Sequence, residues 1–67
     1  MQIFCERLKE LRLENGLTTK QLGKILGVGD ASISRWENGI NTPSIDHLYN
    51  IAKYFNVSAD YLIGLED

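Results

Sequence analysis

Four residues near the middle of the chain, Leu26-Gly27-Val28-Gly29, most restrict what it can fold into. They lie between two apolar-periodic segments of about eight or nine residues, and so read as a tight turn joining two short helices at a steep angle. Before the turn, Thr18-Thr19-Lys20-Gln21 has the form of a capping box. The Thr18 hydroxyl accepts from a backbone N–H while Gln21 reaches back to the cap. Leu22, Ile25 and Leu26 form the buried stripe of this helix, and Gly27 ends it. After the turn, Gly29 caps the next helix and Asp30 suits its positive N-terminal end. That helix runs through Ile33 and Trp36 to Asn38-Gly39. Gly23 lies inside the first of the pair, where glycine costs roughly 1 kcal/mol relative to alanine. Close approach of the second helix near Ile33 is the expected reason for it.

The flanking segments are helical too. Phe4, Leu8 and Leu11 recur at helical spacing up to Asn15-Gly16, a natural left-handed terminator. Ser44, after Pro43, caps a fourth helix with Asp46 in its first turn. Its apolar stripe is Ile45, Leu48, Ile51, Ala52 and Phe55. Asn56-Val57-Ser58 interrupts it, and Ser58 caps a last short helix holding Tyr61, Leu62 and Ile63. No stretch alternates with period two for long enough to make a strand. The expected fold is all-α, a compact five-helix bundle with short connections.

With 67 residues and 43% apolar side chains, the chain can build one domain, residues 1–67, around one modest core. No apolar run approaches a membrane span and no leader pattern is present, which points to a cytoplasmic protein. Cys5 is the only cysteine and His47 the only histidine, so neither an internal disulfide nor a structural metal site is expected. Net charge is −2, but it is unevenly placed. Residues 18–42 hold Lys20, Lys24 and Arg35 against Asp30 and Glu37, while residues 43–67 hold Lys53 against Asp46, Asp60, Glu66 and Asp67. One face can therefore be locally basic in a mildly acidic chain.

Helical phase sorts the third helix. Ile33, Trp36 and Glu37 fall on one side, which must face the core, whereas Asp30, Ala31, Ser34, Arg35 and Asn38 fall on the other. Trp36 reads as a wedge between helices rather than a platform for stacking.

Leu17-Thr18-Thr19-Lys20-Gln21-Leu22, Leu26-Gly27-Val28, Ile33-Ser34-Arg35-Trp36-Glu37-Asn38-Gly39 and Pro43-Ser44 together resemble the Cro/repressor-type, or XRE-type, helix-turn-helix family. The likeness runs from Arg7 to about Leu65. It implies a five-helix fold, a homodimer and a transcriptional regulator, here a repressor, reading the major groove of double-stranded DNA at a palindromic operator with its third helix. In that docking mode, Arg35 suits a bidentate contact to guanine, Ala31 a thymine methyl, and Asp30 a cytosine amino group. Ser34 suits a base or a phosphate. Thr19, Lys20, Asn38, Asn41 and Thr42 would position the phosphate backbone. The alternatives are Asp30 as a plain helix-end residue, Lys20 and Lys24 as solvated charges, Asn38 as an ordinary helix terminator and Arg35 as a plain surface arginine. The resemblance also implies an ion pair between Arg12 and Glu37. One domain this small reaches only a few base pairs, so two copies are expected, with Tyr61, Leu62, Ile63 and Leu65 as the candidate contact; the alternative is that Leu62 and Ile63 simply close the core. In this family Gly23 is more commonly alanine and Gly29 serine.

Two rival functions follow from the same residues. An enzyme would need a nucleophile, base and orienting group, and neither Cys5 nor His47 has them; His47 reads as an ordinary surface residue. No cofactor is expected. A protein-interaction or antitoxin-like module, with weak or no DNA binding, is the second rival. The acidic C-terminal end with Tyr54 and Tyr61 is the feature that would serve it.

Overall fold

The apolar positions that recur at helical spacing become five α-helices and no strand, in a computed structural model that describes residues 1–67. They are α1 (Gln2–Glu14), α2 (Thr19–Leu26), α3 (Asp30–Glu37), α4 (Ile45–Phe55) and α5 (Ala59–Ile63). None is long and apolar enough to cross a membrane.

Each helix sends one side chain to the centre. Leu8, Leu22, Ile33, Ile51 and Leu62 are all 0% exposed, one from each helix in chain order. Phe4, Leu11 and Trp36 complete the core, with Leu17, Leu26, Val28, Leu48, Ala52, Phe55, Val57 and Tyr61 packed against it. Fully burying a leucine or isoleucine stabilises the fold by about 1.5–3 kcal/mol, so these few residues supply most of what holds the helices together.

Three expectations change here. Leu62 is not a dimer contact; it is the α5 member of the core. Ile45 belongs to the periodic stripe of α4 but is 84% exposed. It lies roughly 120° around the helix from Ile51, and as the first residue of α4 it projects beyond the neighbouring helices. Ile25 is 44% exposed, because the buried face of α2 runs along Leu22, Gly23 and Leu26, roughly 100° away.

Start signals act as read. Thr18 accepts from the Gln21 amide at 3.0 Å and Gln21 Oε1 accepts from the Thr18 amide at 2.9 Å, closing the capping box. Ser44 accepts from the His47 amide and Ser58 from the Tyr61 amide. Gly29 is the N-cap of α3 and offers no side-chain bond.

Every helix also stops the same way, on a left-handed residue followed by an apolar one whose amide bonds the carbonyl five residues back. At the end of α2, Gly27 sits at φ 74°, its amide bonds Lys24 O, and the Val28 amide bonds Gly23 O at 2.8 Å. At the end of α4 the left-handed residue is Asn56 at φ 57°, the only non-glycine with positive φ, and the Val57 amide bonds Ala52 O at 3.0 Å. Asparagine tolerates this region better than other side chains do.

Gly23 is required for a different reason from the one expected. A Cβ there would stand 2.8 Å from Val28 O, 3.1 Å from Gly29 C and 3.2 Å from Asp30 N. The close approach is by the backbone of the turn, not by Ile33.

Candidate nucleic-acid interface

The α2–turn–α3 unit presents one continuous exposed face. Lys20 and Lys24 are exposed on α2, and Thr19, the first residue of that helix, is half-buried. On α3, Asp30, Ala31, Ser34 and Arg35 are exposed, as is Asn38 just past its end, and they span an arc of roughly 140°. Ile33 and Trp36 point into the core on the other side. Arg35 enters no ion pair, and its guanidinium makes no hydrogen bond within the chain. Asn38 Nδ2 donates to Ser34 Oγ at 3.3 Å, tying the last turn of this face together.

The face continues into the connection to α4. Asn41 and Thr42 are both exposed, and Thr42 lies beside Pro43 over Met1, Phe4, Leu48 and Ile63, around a cavity of about 180 Å³. Thus Arg35, Ala31, Asp30, Ser34, Asn38, Asn41 and Thr42 occupy α3 and the segment directly after it, with Thr19 and Lys20 at the start of the helix packed beside it.

Behind this face, α1 holds α3 through a bidentate ion pair. Arg12 Nε donates to Glu37 Oε2 at 2.7 Å and Arg12 Nη2 donates to Glu37 Oε1 at 2.9 Å. The side chains are only 11% and 6% exposed, and Nη1 donates to Leu17 O at 2.9 Å. The pKa of Arg12 is raised, first by its hydrogen bond to Glu37 and further by Coulombic attraction, against the opposing effect of burial. A planar fork meeting a carboxylate edge-on fixes orientation as well as distance, so the pair sets the rotation of α3 on its scaffold.

Two contributors were not visible in the sequence. His47 is half-buried rather than an ordinary surface residue, because Trp36 gives its ring a surface to rest on, with centroids 5.4 Å apart. Its Nδ1 lies 3.1 Å from Ser44 Oγ. Arg7 caps the far end of the molecule, donating to the carbonyls of Tyr61 and, at 2.8 Å, Glu66, with its guanidinium 4.2 Å above the Tyr61 ring. Neither partner of Arg7 is signalled by side-chain type, since both acceptors are main-chain oxygens.

Cys5 donates through Sγ to Met1 O within the first turn of α1. No three His, Cys, Asp or Glu side chains gather where a metal ion would sit.

Comparison with known proteins gives this geometry its context. The helix-turn-helix family profile matches residues 8–62. The HTH-type transcriptional regulator YobD of Bacillus subtilis is 35% identical over 65 residues, which is 97% of this chain and 58% of that protein. The antitoxin PezA of Streptococcus pneumoniae is 34% identical over 59 residues, 88% of this chain and 37% of that protein. The chain thus spans only part of these curated relatives. Among solved structures, the c2 repressor of Salmonella phage P22, crystallised with a synthetic operator, aligns with a TM-score of 0.85. That likeness carries 32% identity and covers 92% of this chain and 94% of that one. On the profile match, the identities and the five-helix geometry together, the chain belongs to the Cro/repressor-type helix-turn-helix family of transcriptional regulators.

Proposed function

We propose that this chain binds double-stranded DNA sequence-specifically as a transcriptional repressor, laying α3 in the major groove and working as a homodimer on a palindromic operator. Two observations support this reading: the structural likeness to a repressor crystallised with its operator, and the exposure of Arg35 on α3. Arg35 reads guanine through its free guanidinium, with Ala31 against a thymine methyl and Asp30 and Ser34 completing base contact. Thr19, Lys20, Asn38, Asn41 and Thr42 meet the phosphate backbone and fix the register. Two copies are needed because one domain this small reaches only a few base pairs, and half-sites lie about 34 Å apart. Half-buried Tyr61 and Ile63 and 73% exposed Leu65 form the proposed contact between copies, without Leu62.

Selection of bound sequences from a random duplex pool tests this reading, repeated with Arg35→Ala. Loss of one bidentate contact lowers affinity for the selected site by about 1–3 kcal/mol and relaxes preference at one position. Undiminished selectivity in Arg35→Ala would remove the residue from its role.

The likeness to an antitoxin and the acidic C-terminal end favour a second reading, a protein-interaction module. Salt separates the two. DNA affinity falls steeply as salt rises because cations are released from phosphates, whereas a protein partner held by apolar contact shows no such slope.

A further inference from the structure

The segment between α3 and α4 is a strap that rests through half-buried Pro43 near Phe4 and Leu48 but is not held by hydrogen bonds of its own. No hydrogen bond within the chain engages Asn41, Thr42 or Pro43. Its near end is fixed by the Ile40 amide on Arg35 O at 3.0 Å. Its far end is Ser44, the N-cap of α4, whose carbonyl accepts from the Leu48 amide at 2.9 Å. The Ser44 hydroxyl accepts from the His47 amide at 3.2 Å and stands 3.1 Å from His47 Nδ1, the one of these contacts made by a side chain that also reaches α3. The His47 ring in turn rests on Trp36, 5.4 Å between centroids and inclined at 47°, and Trp36 belongs to α3. One imidazole therefore touches both the helix that the strap leaves and the residue at which it arrives.

We propose that His47 is the positioning residue for Asn41 and Thr42. By holding Ser44 while braced on Trp36, it fixes the far end of the strap relative to α3, and so sets where these two side chains meet the phosphate backbone. The inference rests on the DNA-binding reading for its consequence, but not for its geometry. A histidine suits the place because a flat ring covers the indole edge while a nitrogen at its near corner reaches the hydroxyl. Phenylalanine would cover without reaching.

The test compares the parent with His47→Ala and His47→Phe, first as free protein and then on DNA. In amide NMR spectra, the resonances of Asn41 and Thr42 shift in both variants while those of Thr19 and Lys20 stay. On the duplex selected from a random pool and on an unrelated duplex alike, both variants bind about three- to tenfold more weakly, the effect of one lost hydrogen bond. Base preference and salt slope are unchanged, because Asn41 and Thr42 carry no charge to release counterions. In an Asn41→Ala/Thr42→Ala background the loss disappears, since nothing remains to be positioned. His47→Phe keeps a ring on Trp36, so it carries the comparison should His47→Ala melt. Unmoved Asn41 and Thr42 amides, or a His47 effect that adds in full to the double alanine, overturns the proposal. A parent that binds neither duplex overturns the DNA reading instead, and the amide shifts then decide the geometry alone.

Discussion

At the corner between α2 and α3 the chain runs through Gly27, Val28 and Gly29; at the corner between α4 and α5 it runs through Asn56, Val57 and Ser58. The backbone paths nearly coincide. Gly27 and Asn56 are left-handed, the two valines tuck into the core, and Gly29 (φ −74°, ψ 159°) and Ser58 (φ −79°, ψ 155°) open the next helix from extended geometry. Apart from the shared valine, the side chains differ. The α4–α5 corner is self-contained, with a serine cap on the Tyr61 amide and an alanine, Ala52, where the other corner has Gly23. The α2–α3 corner is stripped bare, and its carbonyl at Val28 presses where a Gly23 side chain would stand. What it lacks locally it receives from α1, through the half-buried Arg12–Glu37 pair. Arg7 gives α5 a parallel anchor, but one that reaches carbonyls near the surface. The same turn can be held by its own residues or from a distance, and the helix that must keep its outer face free is held from a distance.

The largest break in this comparison comes from the anchor. Glu37→Ala leaves Arg12 without its counter-charge and costs about 3–5 kcal/mol in urea unfolding, whereas Arg7→Ala costs less because water can donate to the carbonyls it leaves. A double-mutant cycle on Arg12 and Glu37 that returned no coupling would sink the assignment of α3 to this anchor. A pKa raised by the folded state gives stability that is fully present below the ordinary arginine value and lost only in strong alkali. The Glu37→Ala penalty is thus no smaller at about pH 9 than at about pH 7 as far as Arg12 titration is concerned. Next in size, Gly23→Ala forces a Cβ against Val28 O and costs about 1–3 kcal/mol, despite the better helix propensity of alanine. At the equivalent place in the second corner the sign reverses, and Ala52→Gly is the destabilising change, by about 1 kcal/mol. Equal melting temperatures for Gly23→Ala and the parent would show that the first corner is no tighter than the second. Smaller again, Ser58→Ala removes a cap and loses about 1 kcal/mol. Smallest, Gly29→Ser supplies the missing one and raises stability by about a few tenths of a kcal/mol.

Helix ends were the most legible part of the chain because their signals are local. Thr18 with Gln21, Ser44, Ser58 and the breaks at Asn15-Gly16, Gly27 and Asn56 need only their own neighbours to act. The inward side of α3 was legible for a similar reason, since Ile33 and Trp36 fix its phase. The same holds for α1, whose stripe of Phe4, Leu8 and Leu11 is the set that is buried, but rotation of α2 and α4 was less legible. The stripes on α2 and α4 name apolar positions, but only the placement of neighbouring helices leaves Ile25 and Ile45 outside and makes Leu62 part of the core. His47 and Arg7 were missed because their partners are an indole, a hydroxyl and two carbonyls brought near by tertiary structure. The Gly23 reading had the right residue and the wrong neighbour: sequence shows that space is needed, while the path of the turn decides which atoms fill it.

The Val28–Gly23 bond across Gly27 also orders events in time. Closing Val28 onto Gly23 O needs only chain already at hand, so α2 and α3 can form their corner with little loop-closure cost. The Arg12–Glu37 link spans 25 residues and must wait for α1 to arrive. Substitutions at the corner then slow folding, while loss of the ion pair mainly speeds unfolding. On loop-closure grounds, the corner that turns the chain into α3 is expected to form before the anchor that holds it.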